Sequence, residues 1–460
     1  MAIREAISDK RGEANSCINL GNIYAALGKY EKSIKYFLKA IEASEATNQK
    51  QHQGILYSNL GRAYDALGQK EQSKECLLKA IEISEEIGDK ETEGMSYNIL
   101  GTKCYALHQY GEALSYFEQS IRIMKALNNK EGEKTTYHNL ATVHEALGQI
   151  PDAIQYHEKE LNIIKTHFGK KLEEASCSKL SNLYEALGQY EMSISYGEKA
   201  LEISKVLGDK LRIGKAYELL GTAHHSIRQY EKSIEYRKKA IEVSQTIGAR
   251  KAEARSHSQL GNVYYDLGFF KKAIESHKKS LEIRKEIKDR HGEATSHNNL
   301  GTAYCALNQL QEAIESCQLS LQISEEIGDK VGEITACNNL GSVYNLLYHH
   351  HDKMIKYQER ALAVSKSIKD KQGEGTSYSN LAIAYHAIGE LEKSVEYEVK
   401  ALAINDEIGD KLRSSISYNN LGRIYYIFGK DEESVECFKK GLDIKRELND
   451  REIGRASCRE

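Results

Sequence analysis

Asparagine recurs along this sequence at a fixed spacing, in segments that otherwise read as helix, where it costs a few tenths of a kcal/mol relative to Ala. Asn19, Asn59, Asn139, Asn299, Asn339, Asn380 and Asn420 each stand immediately before a leucine. Asn22, Asn182, Asn262, Asn298, Asn338 and Asn419 add carboxamides to the same face of some of these segments. A carboxamide offers an acceptor and donors together, so a column of them can pair with a peptide backbone whatever side chains that backbone carries. Each bond contributes about 0.5–1.5 kcal/mol net, whereas micromolar affinity needs about −8 kcal/mol. Several rungs and some apolar anchors must therefore act together. Individually, such carboxamides can equally bond to an adjacent segment of their own chain or face water. As a column, they point to a binding groove, and these thirteen residues are the candidate partner-binding set.

Other chemistry-bearing residues carry less. His349 to Asp352, "HHHD", has ligand-type side chains but reads as an inserted solvated turn, and flexible neighbouring imidazoles rarely make a preorganised site. Nine cysteines without CxxC spacing are too scattered for a disulfide framework or a zinc site. There is no phosphate loop, nucleophile elbow or paired-carboxylate arrangement. The 29 tyrosines recur at fixed positions such as Tyr24, Tyr64, Tyr184 and Tyr264, as core residues do. The sequence thus assigns no catalytic residue, no metal ligand and no cofactor, and the chain reads as a non-enzyme.

The elements that must position the asparagines follow from a repeat. Leucine stands at 20, 60, 100, 140, 180, 220, 260, 300 and 340, then at 381 and 421, a period of 40 with one extra residue placed in "YHHHDK", Tyr348 to Lys353. Eleven copies at a fixed period of this size mean a solenoid. Each copy has two apolar stripes of helical period around a short break, hence helix, turn, helix. The break usually carries Gly, as at Gly28, Gly68 and Gly148; Asn308 suits the same left-handed conformation, while His108 and Arg228 depart from it. The second helix ends near "EEIGDK", where Gly stops it and Asp starts the next. After every repeat leucine comes a small residue: Gly in eight copies, and Ala141, Ser181 and Ala382 in the rest. Mid-helix glycine costs about 1 kcal/mol relative to Ala, so these positions imply close approach of the paired helix.

Lys plus Arg total 64 against 67 Asp plus Glu, a net charge of −3, which lacks the basic excess of a nucleic-acid binder. The opening "MAIREAISDK" lacks the apolar core of a signal peptide, and no run approaches the roughly 20 apolar residues of a membrane span. The expected partners are protein or peptide segments, with no nucleic acid, membrane insertion or small-molecule substrate. The expected location is cytoplasmic.

The pattern resembles the tetratricopeptide repeat. "YSNLGRAY", Tyr57 to Tyr64, with Ser73 and Ala80, supplies the aromatic, Leu, small residue, Tyr and second-helix small residues of that family, and the likeness covers essentially the whole chain. Departures are local: Cys, His or Tyr replaces the usual Trp, Glu160 replaces a small residue, and Cys104, His144 and His224 replace the Tyr. The 40-residue spacing and "EIGDK" joints look first like arrays of the tetratricopeptide repeat protein 28 type and second like LGN/Pins-type adaptors. The resemblance implies an all-α, right-handed superhelical solenoid whose first helices line a concave groove, and it likens the asparagine column to ladders that hold extended peptides. The family's carboxylate clamp for chaperone tails needs a Lys just before the asparagine position, and no copy has one there.

The repeats are expected at 11–50, 51–90, 91–130, 131–170, 171–210, 211–250, 251–290, 291–330, 331–371, 372–411 and 412–451. Residues 1–10 read as the remnant of a preceding repeat, and 452–460 as a sequencing-adapter artefact, so the chain is expected to be a piece of a longer array. The function expected first is a scaffold that binds an extended or helical segment of a partner in the concave groove. The alternative is the regulatory or sensor arm of a larger signalling enzyme. RNA recognition ranks last, since the first-helix face is mostly Asn, Ser, Thr and Ala.

Overall fold

The computed structural model describes residues 10–47, 50–347 and 350–457, with side chains at 51 and beyond 448 outside the description. Among the described residues there are twenty-two α-helices and no strand. Of the expected remnant at 1–10 only Lys10 is described, and of the expected artefact at 452–460 only the helical backbone of 452–457.

Chain contacts divide the molecule into two units, Met1–Ile227 and Arg228–Glu460. In the first, odd-numbered helices open each repeat: α1 (Lys10–Ala26), α3 (Lys50–Ala66), α5 (Lys90–Ala106), α7 (Lys130–Ala146), α9 (Lys170–Ala186) and α11 (Lys210–Ser226). Between them run α2 (Tyr30–Ala46), α4 (Lys70–Ile87), α6 (Tyr110–Ala126), α8 (Ile150–His167) and α10 (Tyr190–Leu207). In the second unit the openers are α13 (Arg250–Asp266), α15 (Arg290–Ala306), α17 (Lys330–Leu346), α19 (Lys371–Ala387) and α21 (Lys411–Ile427). Their companions are α12 (Tyr230–Thr246), α14 (Phe270–Glu286), α16 (Leu310–Ile327), α18 (His351–Ser367), α20 (Leu391–Glu407) and α22 (Asp431–Ser457). Within each unit every helix packs on its sequence neighbours, and most odd-numbered helices also touch the next odd-numbered one.

The repeat leucines carry the core. Leu60, Leu100, Leu140, Leu180 and Leu220 in the first unit, and Leu300, Leu340, Leu381 and Leu421 in the second, are all buried. Burying one such side chain contributes about 1.5–3 kcal/mol. The small residue after each leucine does what its spacing implied. A Cβ on Gly21 would stand 2.5 Å from a ring carbon of Phe37, and one on Gly101 would stand 2.6 Å from Phe117. The facing helix answers with its own small residues: Ser33 Oγ donates to the Gly21 carbonyl at 2.8 Å, and Ser434 Oγ to the Gly422 carbonyl at 2.8 Å.

Most turns hold a left-handed residue whatever its type, the turn at Phe168 and Gly169 being an exception. Gly68 has φ of 75°, and His108 and Asn308, without glycine's freedom, still take 58°. The turn geometry therefore overrides residue preference, at a local cost of about 1–2 kcal/mol for a non-glycine residue. The Asp of each "GDK" joint caps the next helix: Asp89 accepts from the Thr92 backbone N–H at 3.2 Å and Asp329 from Gly332 at 3.0 Å. The extra residue falls in the turn as expected: α17 ends at Leu346 and α18 begins at His351, one residue further apart than α15 and α16, and His350 is exposed, while His351 and Asp352 already lie in the first turn of α18 and His349 lies outside the described residues.

Candidate partner-binding face

A residue directly before a repeat leucine sits at the edge of the buried stripe of its helix. Asn59, Asn139, Asn299, Asn339, Asn380 and Asn420 are accordingly half-buried, whereas Asn19 is exposed. Their carboxamide nitrogens reach the preceding repeat. In the first unit Asn139 donates to Asn98 Oδ1 at 2.8 Å, and Asn59 to Asn22 Oδ1 at 3.4 Å. In the second, Asn299 donates to Ser258 Oγ at 3.2 Å and Asn339 to Asn298 Oδ1 at 3.3 Å. Asn380 donates to Asn338 Oδ1 at 3.3 Å and to Gln358 Oε1 at 3.1 Å. The donor and acceptor lie 41 residues apart at Asn139, Asn299 and Asn339, and 42 apart at Asn380, after the extra residue.

These bonds tie successive first helices together, and they employ one N–H of each carboxamide. Among the described residues, the Oδ1 atoms of Asn139, Asn299 and Asn339 accept no bond. What the column can still offer is a row of acceptors, each with a second N–H beside it. Asn298 is buried and Asn338 half-buried, both serving as acceptors for the next repeat. Asn419 turns away, donating to the Ser415 carbonyl of its own helix at 2.9 Å. Asn22, Asn182 and Asn262 are exposed.

Two clefts open beside the column. In the first unit Asn22, Tyr30, Asn59, Arg62 and Ala63 line one of them. In the second, His386, Glu398, Asn420 and Arg423 line another. Glu398 is fully buried there; its Oε1 accepts from Ser379 at 3.1 Å and Asn420 at 3.3 Å, while Oε2 has no partner. Burial pushes its carboxyl above the usual range, against the lowering effect of the bonds from Asn420 and Ser379.

A third feature joins α7, α8 and α9. His157 Nδ1 lies 2.8 Å from Glu160 Oε2, and His157 Nε2 lies 3.0 Å from Glu145 Oε1. His138 Nδ1 lies 3.3 Å from Glu160 Oε1, and Lys179 Nζ lies 2.6 Å from Glu145 Oε2. Burial alone would raise the Glu160 carboxyl, but the bonds and charges of His138 and His157 outweigh it and hold it down to about 2. His138 is raised, chiefly by its bond to Glu160.

Sequence reasoning passed over Asn98, although it occupies the same position as Asn298, Asn338 and Asn419 and donates in turn to Thr136 Oγ1 at 2.8 Å. It also noted Glu160 only as a departure. The missed signal was that His138, Glu160 and Lys179, each without a counterpart of its type in the other copies, fall within two adjacent copies. No helix among the described residues is long and apolar enough to cross a membrane.

The pattern described as tetratricopeptide repeat matches residues 12–86, 91–166, 172–246, 252–326, 294–367 and 338–407, and a second pattern of that description matches 416–452. No curated protein matches the chain. Among solved structures, it is similar to a Signal Transduction ATPase with Numerous Domains (STAND) protein with a tetratricopeptide repeat sensor from Pyrococcus horikoshii. That likeness has 15% identity and a TM-score of 0.51, and covers 80% of this chain and 55% of that one. The apo form of the quorum sensor NprR from B. thuringiensis is similar over 78% of this chain and 99% of its own, at 16% identity and a TM-score of 0.50. BtubC from P. vanneervenii shares 21% identity over 48% of this chain and 92% of its own, with a TM-score of 0.44. At these identities the likenesses show the fold alone.

Proposed function

The chain belongs to the tetratricopeptide-repeat family, and from that premise we propose that it is a non-enzymatic scaffold whose first-helix face holds an extended or helical segment of a protein partner. The observation that carries this reading is the division of labour within each carboxamide. One N–H of Asn139, Asn299 or Asn339 secures the neighbouring repeat, and the Oδ1 stays uncommitted at the surface of the column. An array fixed in this way presents acceptors at regular intervals without having to order them on binding, which lowers the entropic cost of association. The clefts at Asn59 and at Glu398 supply places for anchoring side chains. With a buried, unpartnered carboxylate oxygen, the Glu398 cleft suits a donor or cationic group.

Within the family, we read the 40-residue spacing and the "EIGDK" joints as nearest to the tetratricopeptide repeat protein 28 type. A location in the cytoplasm accords with this reading. The second reading, a sensor arm of a larger signalling enzyme, is motivated by the STAND protein, in which a tetratricopeptide repeat array is the sensor. Peptide-library binding to the chain, followed by Asn299→Ala together with Asn339→Ala, tests the groove. Affinity for selected peptides is expected to fall at least tenfold while the chain remains folded by circular dichroism. Unchanged affinity would remove the column from the mechanism.

A further inference from the structure

We propose that His138, His157 and Glu160 form a binding site for one transition-metal dication of the zinc class, on α7 and α8 of the first unit. One ligand atom from each of the three side chains lies within 4.8 Å of the others. Glu160 meets the two imidazoles with its two oxygens, Oε2 lying 2.8 Å from His157 Nδ1 and Oε1 3.3 Å from His138 Nδ1. A tetrahedral zinc ion with bonds of about 2.0–2.1 Å holds neighbouring ligands about 3.3 Å from one another, so small side-chain rotations admit it. Two imidazoles and one carboxylate suit zinc-class ions rather than magnesium or calcium, which take oxygen ligands.

The surroundings are those of a metal-binding imidazole. Glu145 bonds to the far nitrogen of His157 at 3.0 Å and is itself held by Lys179 at 2.6 Å. A carboxylate on that nitrogen keeps its proton there and leaves Nδ1 as the ligand. The His138 side chain is 56% exposed, so the fourth coordination position opens to water.

Repeat packing does not call for these residues. Positions equivalent to Glu160 hold small residues such as Ala80, Ser120 and Ala200, whereas the position of His157 varies, holding Phe37, Leu77, Phe117 and, in a later copy, His277. Only in this copy does a largely buried carboxylate accompany the imidazole, and a third ligand faces them from α7.

The test uses the full chain freed of metal by a chelator, with Zn2+ followed by calorimetry and Co2+ by its visible spectrum. One tight event per chain is expected, with the intense Co2+ bands of a four-coordinate site. Glu160→Ala, which restores the residue type of Ala80 and Ala200, is expected to weaken binding at least tenfold, and Glu145→Gln between tenfold and a hundredfold. His350→Ala with His351→Ala is expected to leave it unchanged. Should Glu160→Ala fail to fold, His138→Ser, matching Ser58 and Ser178, reads out the same loss. A wild-type chain without the tight event, or a Glu160→Ala chain that binds as tightly, overturns the proposal.

Discussion

Asn339 donates its carboxamide N–H to Asn298 Oδ1 across 3.3 Å, joining two first helices through side chains 41 residues apart. Because Asn298 is only 7% exposed, water cannot readily replace the lost donor. Asn339→Ala is therefore expected to destabilise the second unit by about 1–2 kcal/mol in denaturant unfolding. Asn262→Ala, at an exposed carboxamide of the same unit, should stay within about 0.5 kcal/mol. Equal effects from the two would mean that the inter-repeat bond contributes nothing.

The same glycine-to-alanine change is expected to have opposite signs at two sites. Gly101→Ala places a Cβ 2.6 Å from Phe117 and should destabilise by about 1–3 kcal/mol. At Gly111, in the first turn of α6, an added methyl would meet nothing within 4 Å, and Gly111→Ala should stabilise by about 0.5 kcal/mol. Chemical denaturation of both variants decides, and a stabilised Gly101→Ala chain would contradict the close-packing account.

His277 supplies a pH dependence. It is buried against Gly261, and burial first, then the Arg284 charge, lowers it from 6.5 to about 4. The unfolded chain therefore takes up a proton below about 6.5 that the folded chain refuses until about 4. The contribution is fully present above pH 6.5 and is lost as pH falls toward 4, at about 1.4 kcal/mol per pH unit for one proton. His257 and His297 are lowered by burial too and add to the slope. In His277→Phe, matching Phe37 and Phe117, stability between pH 6.5 and 4 should fall less steeply by one proton's share. An unchanged slope would show that His277 is not the group concerned.

Glu398 carries the opposite sign for a carboxylate. Its folded value is raised by burial, so its contribution is favourable at acidic pH and is lost as pH rises through that value. Glu398→Gln removes the buried charge and keeps an acceptor for Asn420, as Gln358 already does for Asn380 one copy earlier. The variant is expected to be more stable than the parent at pH 7 by about 1 kcal/mol, and thermal melts at pH 4 and pH 7 should show the gain only at the higher pH.

Much of the fold was legible because packing repeats. Leu60, Leu100 and Leu140 mark the core and Gly21 and Gly101 the close approach, since each position recurs in every copy and has one physical explanation. The capping role of Asp89 and Asp329 was legible for the same reason. The direction of each asparagine was not. Asn139 could have faced solvent or a neighbour, and only the placement of Asn98 one helix away chooses between them. His138, His157 and Glu160 were harder still, because pattern reading treats departures from a repeat as local noise. These three converge only once α7 and α8 are packed together.

Lys179 stands where most other copies carry asparagine, and it turns to Glu145 across α7 and α9. A guest strand gripped only by identical rungs would be equally content one repeat further along and free to slide. If the proposed groove holds such a strand, a single cationic rung beside the histidine pair would end that degeneracy and give the first unit an address from which the bound segment's register could be counted.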